Sequence, residues 1–239
     1  VKAKRLLTVC GAFVYDSLVP HELLELVPNS CESHFVGKRR GRHSVSQSTT
    51  NALLVELAKR HKCIVRLKGG DPFLFGRGAE EASYLKQNGV DVEVVPGITS
   101  GIAVPAYLGI PITHRLAGSS VTFVTGHEQE NKPRPLVNWQ ALAKASDALV
   151  IYMGVHNLDY ITKELIAGGL DPLTPSIVIQ QGTVIGQRFI KSTLVDLFEK
   201  VQIHSFVSPS IVLIGSTIDF QVEDCSPQPA NVTMPIPLD

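Results

Sequence analysis

Lys68-Gly69-Gly70-Asp71-Pro72 follows the short apolar run Ile64–Leu67 and has the make-up of a ligand-binding turn. Paired glycines let a main chain approach a bound molecule closely. Asp71 and the neighbouring carbonyls offer acceptors to a ribose or an ammonium group. Neither GxxxxGK(S/T) nor GxGxxG occurs, so a phosphate cradle is not indicated. A tight strand-to-helix turn would use the same residues, but Phe73, Phe75, Gly76, Arg77 and Gly78 carry the segment beyond what a bare turn needs. Val95-Pro96-Gly97-Ile98-Thr99-Ser100 repeats the arrangement. Pro-Gly turns the chain there, and Thr99 or Ser100 can cap the helix that follows. A ligand contact at this second loop is a further expectation, because adjacent parallel strands aim their carboxyl-terminal loops at one crevice. Gly37-Lys38-Arg39-Arg40-Gly41-Arg42-His43 concentrates cations behind another expected strand. One reading is a solvated charged face; the other is a pocket in which arginine forks grip a phosphate or a polycarboxylate. Asp16 ends the run Ala12–Tyr15 at the same sheet edge, where a carboxylate serves as an ion-pair partner, a proton acceptor or a solvated cap.

Two signals are weaker. Tyr152-Met153-Gly154 ends a long apolar run, and its thioether suits a core filler or an adenine and a sulfur-bearing ligand. Gln180-Gln181-Gly182-Thr183 ends another run with a glycine turn. The histidines are scattered, and neither HExxH nor GxSxG is present, which disfavours metalloenzyme and hydrolase readings; no metal is expected. Cys10, Cys31, Cys63 and Cys225 form no CxxC or zinc spacing and read as free thiols of a reducing compartment.

The elements that must position these residues follow from patterning. Of 239 residues, 44% are hydrophobic and 18% charged, which is enough apolar material for real cores. Lys plus Arg (22) balances Asp plus Glu (22), so no global field recruits nucleic acid or an anionic membrane, and any anion site must be local. No apolar run is long enough to span a membrane, and residues 1–11 lack the apolar core of a secretory leader. A soluble cytoplasmic protein is expected. Ala12–Tyr15, Phe35–Gly37, Ile64–Leu67 and Val92–Val95 read as buried strands, with Ser46–Arg60 and Ala79–Lys86 as helices between them. The alternation implies crossover connections and a mostly parallel sheet. After a small, polar break at Thr113–Ser119, Val121–Thr125, Leu149–Tyr152, Ile177–Gln180, Arg188–Lys191 and Ile211–Ile214 read as strands. Asn157–Ala167 and Leu194–Val201 read as helices. A hairpin across Gly182–Gly186 makes this second sheet mixed. The fold class is therefore α/β, with two α/β domains over 1–115 and 118–222; residues 223–239 are expected to be a poorly ordered tail.

VYDSLV (14–19), VGKRRGRHSVSQ (36–47), VRLKGGDPFLFGRGAEE (65–81), VVPGITSGIAVPAYLGIPITHR (94–115), VTGHE (124–128), YMG (152–154) and QQGT (180–183) together resemble the uroporphyrinogen-III C-methyltransferases of the tetrapyrrole methylase family. The resemblance covers roughly residues 2–215. It implies two α/β domains with S-adenosylmethionine in the cleft between them, in a homodimer without a metal. It implies methylation of uroporphyrinogen III at two ring carbons, giving precorrin-2 through precorrin-1 at the branch to sirohaem and cobalamin. Carried over by motif, Gly69, Gly70, Asp71, Leu74, Thr99, Ser100, Met153 and Gly182 would contact the donor, Asp16 would accept a proton and Lys38 would donate one. Arg39, Arg42 and Arg115 are candidates for the substrate carboxylates. The rest of the chemistry agrees: a sulfonium donor without phosphate suits a glycine loop without Lys-Ser/Thr, and a polycarboxylate explains a basic cluster in a chain of zero net charge.

The family begins with a strand and a GAGPGDPELLT-like loop just ahead of the point matched by Val1, and Lys2–Leu7 matches the helix after that loop. For the chain as given, the resemblance therefore implies weakened stability and little or no turnover, which restoring a family-like amino terminus would reverse. No segment outside 1–222 resembles the dehydrogenase and chelatase module of fused sirohaem synthases. The competing readings are a later cobalamin-pathway methyltransferase, a diphthine synthase and a non-catalytic tetrapyrrole-binding module. The basic run and the complete GGDPFLFGRG block favour uroporphyrinogen III.

Overall fold

The computed structural model describes residues 1–37, 45–127 and 137–223. The chain divides into two compact units, Val1–Thr99 and Ser100–Asp239. The first contains α1 (Lys2–Leu7), β1 (Ala12–Tyr15), α2 (His21–Leu24), β2 (Glu32–Phe35), α3 (Gln47–Ala58), β3 (Ile64–Arg66) and α4 (Gly78–Gln87). Its three strands form a parallel sheet in the order β2-β1-β3, with Ala12 opposite both Glu32 and Ile64. Central β1 is apolar because both its faces are covered: Ala12 and Val14 pack with Leu54 and Leu57 of α3, while Phe13 packs with Leu7 and Cys10. Ser46 starts α3 as a side-chain cap, accepting a 3.0 Å hydrogen bond from the Thr49 N–H.

Two strand assignments need correction. β2 lies at Glu32–Phe35, a few residues before the expected Phe35–Gly37, because an edge strand tolerates polar residues, here Glu32 and His34 on one face and the exposed Ser33 on the other. Val92–Val95 joins no ladder. Its valines satisfy strand propensity, but a ladder needs a neighbour about 4.7–4.9 Å away, and β3 pairs only with β1. A cavity of about 240 Å³ instead touches both β3 and this segment, lined in part by Leu6, Leu54, Ile64 and Val92.

The second unit contains α5 (Ser100–Tyr107), β4 (Val121–Thr125), α6 (Trp139–Ala145), β5 (Ala148–Tyr152), α7 (Leu158–Ala167), β6 (Pro175–Gln180), β7 (Arg188–Thr193), α8 (Leu197–Ile203) and β8 (Ser210–Ile214). Its sheet is mixed, in the order β4-β5-β8-β6-β7. β4 and β5 are parallel, and β8 is antiparallel to both β5 and β6, so β5 and β6 run the same way. The last residues of β4, β5 and β6 therefore share one edge. Leu149 and Ile151 of β5, Ile161 and Leu165 of α7, and Leu197 and Val201 of α8 form its core. α6 escaped periodicity because it is short; its start is set by Asn138, whose side chain accepts from the Ala141 N–H at 3.0 Å. The expected tail 223–239 lies outside the described residues except for Glu223. No helix among the described residues is long and apolar enough to cross a membrane.

At the amino-terminal edge of the first sheet, the Arg60 guanidinium donates to both oxygens of Glu32, at 2.8 and 3.0 Å. His61 Nε2 and His34 Nε2 lie 2.8 and 2.9 Å from the same carboxylate. Arg60 first, then His61 and His34, hold the Glu32 carboxyl down at about 2 instead of 4.5. A carboxyl depressed in the folded state contributes stability that is complete above its unfolded value and lost as the pH falls through the folded one. Glu32→Gln is thus expected to lower the thermal midpoint at neutral pH and to flatten its decline between pH 4.5 and 2. An unchanged acid profile by calorimetry would remove Glu32 from this role.

Candidate functional site

Because the first sheet is parallel, residues following its strands gather at one edge, the place where open α/β sheets bind ligands. Asp16 follows β1 there. Its Oδ1 accepts the Leu18 N–H at 3.0 Å, which fixes the turn, and its Oδ2 accepts from Arg66 Nη2 at 3.2 Å. Arg66, the last residue of β3, also donates through Nη1 to the Leu67 carbonyl at 2.8 Å. Its Nε is buried without a hydrogen-bond partner and lies 3.5 Å from Glu81 Oε1. Glu81, on the first turn of α4, accepts from Lys68 Nζ at 3.0 Å and from Gln47 Nε2 at 2.9 Å. Two carboxylates and two cations thus alternate in a formally neutral network. Burial, with the Arg66 charge second, pulls the Lys68 ammonium below its ordinary value, against the opposing pull of Glu81. A polar recess of about 380 Å³ opens beside this network, lined by Asp16, Ser17, Gly37, Gln47, Arg66 and Arg77 among others.

The two glycine loops of this unit are tied together by Asp71. Its Oδ1 accepts the Phe73 N–H at 2.8 Å and its Oδ2 accepts the Gly97 N–H at 3.1 Å. Gly97 must be glycine, since a Cβ there would sit 2.2 Å from the Gly70 carbonyl oxygen. Gly69 and Gly70 are exposed, Leu74 is half-buried and Thr99 is buried. Phe75 and Arg77 hold left-handed backbone with φ of 53° and 58°.

The second unit assembles its own cluster. The Gly101 N–H at the start of α5 donates to the Tyr152 hydroxyl at 2.9 Å, tying Ser100 and its helix to the end of β5. A Cβ on Gly182 would sit 2.4 Å from the Val104 methyls, so the turn after β6 packs directly on the same helix. Met153 is 45% exposed with φ of 54°, and Gln181 and Thr183 take φ of 50° and 68°. Five of the six non-glycine residues with left-handed φ among the described residues therefore lie in loops that follow β3, β5 and β6. Such conformations cost about 1–3 kcal/mol each and cluster at functional sites.

The structure thus joins Asp71 to the Gly97 loop, and Ser100 to the ends of β5 and β6 that carry Met153 and Gly182. Arg115 is exposed on the turn bridged by His114 and Gly118. Lys38, Arg39 and Arg42 lie outside the described residues. Sequence reasoning gave no role to Arg66, Glu81, Gln47 or the Tyr152 hydroxyl, and placed Lys68 in the ligand-binding turn without a partner. The available signal was a pair of cations, Arg66 at the end of a short apolar strand and Lys68 just after it, which calls for a carboxylate partner.

Residues 1–197 match the family model for Tetrapyrrole (Corrin/Porphyrin) Methylases. The chain is 50% identical over 220 residues to the uroporphyrinogen-III C-methyltransferase of Synechocystis sp., covering 92% of this chain and 84% of that one. It is 46% identical over 221 residues to a Bacillus subtilis protein of the same name, covering 92% of this chain but only 46% of that longer one. Among solved structures, uroporphyrin-III C-methyl transferase from Thermus thermophilus complexed with S-adenyl homocysteine is 34% identical, with a TM-score of 0.77 over 92% of this chain and 91% of that one.

Proposed function

Because the chain belongs to the tetrapyrrole (corrin/porphyrin) methylase family, we propose that it transfers methyl groups from S-adenosylmethionine to two ring carbons of uroporphyrinogen III, giving precorrin-2 by way of precorrin-1. The observation that carries the reading is Asp16: a carboxylate held by Arg66 at the mouth of a polar recess, beside a glycine loop with no phosphate-binding residues.

The residues present fit the donor. Gly70 has φ of 76° and an exposed backbone, so main-chain atoms are available at close range. Gly69, Gly70, Asp71 and Leu74 would hold the donor from one loop, with Thr99, Ser100, Met153 and Gly182 as its further contacts. Asp71, already accepting two backbone N–H groups, keeps acceptor capacity for a ribose or ammonium. When bound, S-adenosylmethionine supplies an electrophilic methyl group on a positively charged sulfur. Asp16 would take up the proton that the methylated ring gives up, and Lys38 would return one. Arg66 keeps Asp16 aimed, and Glu81 lies beside Arg66 on its other side. Arg39, Arg42 and Arg115 would meet the carboxylates of the macrocycle, which need bidentate cations. The residues' task beyond proton handling is to hold the reacting carbon about 3–3.5 Å from the methyl. A homodimer is supported by the apolar β6–β7 turn, where Ile185 is 94% exposed next to an edge strand.

The test is anaerobic incubation of the chain, carrying a restored family-like amino terminus, with S-adenosylmethionine and uroporphyrinogen III made in situ, followed by product mass and by the mass of the native particle. A gain of two methyl groups and twice the chain mass are expected. Donor binding without any methyl gain would leave a binding module and overturn the enzyme reading.

A further inference from the structure

Every strand of the first sheet is preceded at its amino-terminal end by a cysteine. Cys31 stands immediately before β2, Cys63 immediately before β3, and Cys10 two residues before β1. The order β2-β1-β3 places Cys10 in the middle. The backbones are joined at this level, with the Gly11 N–H donating to the Cys63 carbonyl at 2.9 Å and the Glu32 N–H to the Gly11 carbonyl at 3.0 Å. The Cys10 and Cys31 sulfurs are 3.5 Å apart. Cys10 is buried, whereas Cys31 and Cys63 are half-buried, and all three pack in one apolar cluster with Leu7 and Phe13. Ala12 stands opposite Glu32, so Cys31 falls level with Gly11, one residue along from Cys10, and the two side chains lean across that offset to meet. To bond, the two sulfurs must close from 3.5 Å to about 2.05 Å.

We propose that Cys10 and Cys31 form a redox couple that closes to an intramolecular disulfide when the folded protein meets a low-molecular-weight disulfide of the oxidised-glutathione type. Burial and the adjoining Cys31 and Cys63 push the Cys10 thiol up to about 12, so Cys10 stays protonated and the half-exposed Cys31 meets the oxidant first. The Cys31 sulfur, its proton lost to solvent, attacks one sulfur of the oxidant; the oxidant's S–S bond breaks, one thiolate leaves, and Cys31 carries a mixed disulfide. The Cys10 sulfur then attacks the Cys31 sulfur, its proton passes to the second departing thiolate, and the Cys10–Cys31 bond forms. Two protein thiols are oxidised and one disulfide is reduced to two thiols. The bridge encloses residues 10–31, the segment that carries Asp16, at the sheet edge opposite that carboxylate. It therefore ties β1 to β2 without touching the candidate site.

The experiment uses the whole chain. It is incubated without air with oxidised glutathione, alkylated, digested without reduction and mapped by mass spectrometry. A peptide pair joined through Cys10 and Cys31 is expected, with Cys63 alkylated and the bridge reversed by dithiothreitol. The thermal midpoint of the oxidised protein should rise by on the order of 5 °C. That rise should disappear in Cys31→Ser and persist in Cys63→Ser. In Cys10→Ala, glutathione should remain on Cys31 for want of the second thiol. Glutathione retained on Cys31 of the unaltered protein, a Cys10–Cys63 bridge, or thiols that stay free while the protein is folded would each overturn the proposal.

Discussion

Exchanging Asp16 for asparagine is expected to lower methylated product by about 10²–10⁴-fold, the range for loss of a positioned proton acceptor, while leaving the fold in place. Asparagine keeps the Oδ1 acceptor that takes the Leu18 N–H at 3.0 Å, so the turn after β1 persists. It loses the charge that faces Arg66 Nη2 at 3.2 Å, and with it the capacity to take a proton. Arg66 is not stranded, because the Leu67 carbonyl and Glu81 remain. The loss should therefore fall on kcat, with donor affinity by calorimetry close to that of the unaltered protein. A variant with full kcat would remove Asp16 from the chemistry; one that no longer binds the donor would make it a structural residue.

The second large effect concerns stability. Glu81 is 4% exposed and is the shared acceptor of Lys68 and Gln47, with Arg66 beside it. Glu81→Ala leaves the half-buried Lys68 without a carboxylate and Arg66 with Asp16 alone, for which about 3–5 kcal/mol of destabilisation is expected. In a chain of this size that is a fall in thermal midpoint on the order of 10 °C. Burial already pulls the Lys68 ammonium down with Glu81 in place, so its loss should favour the neutral amine further. Glu81→Gln should cost less, because its amide oxygen still accepts from Lys68. Adding Lys68→Met to Glu81→Ala should recover part of the loss, since it removes one uncompensated charge. A midpoint unmoved by Glu81→Ala would mean that the network is already hydrated and contributes nothing.

What the sequence made legible follows from the range of the interactions involved. Ala12–Tyr15 and Leu149–Tyr152 are short, buried and apolar, and the helix over Gln47–Ala58 has helical spacing with a serine cap, so local pattern and final structure coincide. The glycine loops at 68–72 and 95–100 announce themselves through residues that only special backbone requires, and the close approach of Gly97 to Gly70 bears this out. Val92–Val95 was misread because a ladder is a property of neighbours, not of valines. The charge network was invisible for a related reason. Arg66 meets Asp16 across 50 residues of sequence, and Gln47 meets Glu81 across 34, so no window of local pattern contains either pair. Tyr152 likewise read as the end of a strand, and only the fold reveals that its hydroxyl receives the Gly101 N–H.

The central claim is methylation of carbon on uroporphyrinogen III, and a donor carrying a carbon-13 methyl group tests it most directly. After anaerobic reaction with the chain carrying a restored family-like amino terminus, the account predicts two labelled methyl resonances, each bonded to a saturated ring carbon of the macrocycle. Label on the oxygens of the side-chain carboxylates or on a ring nitrogen, or no label in a folded protein that binds the donor, would contradict it.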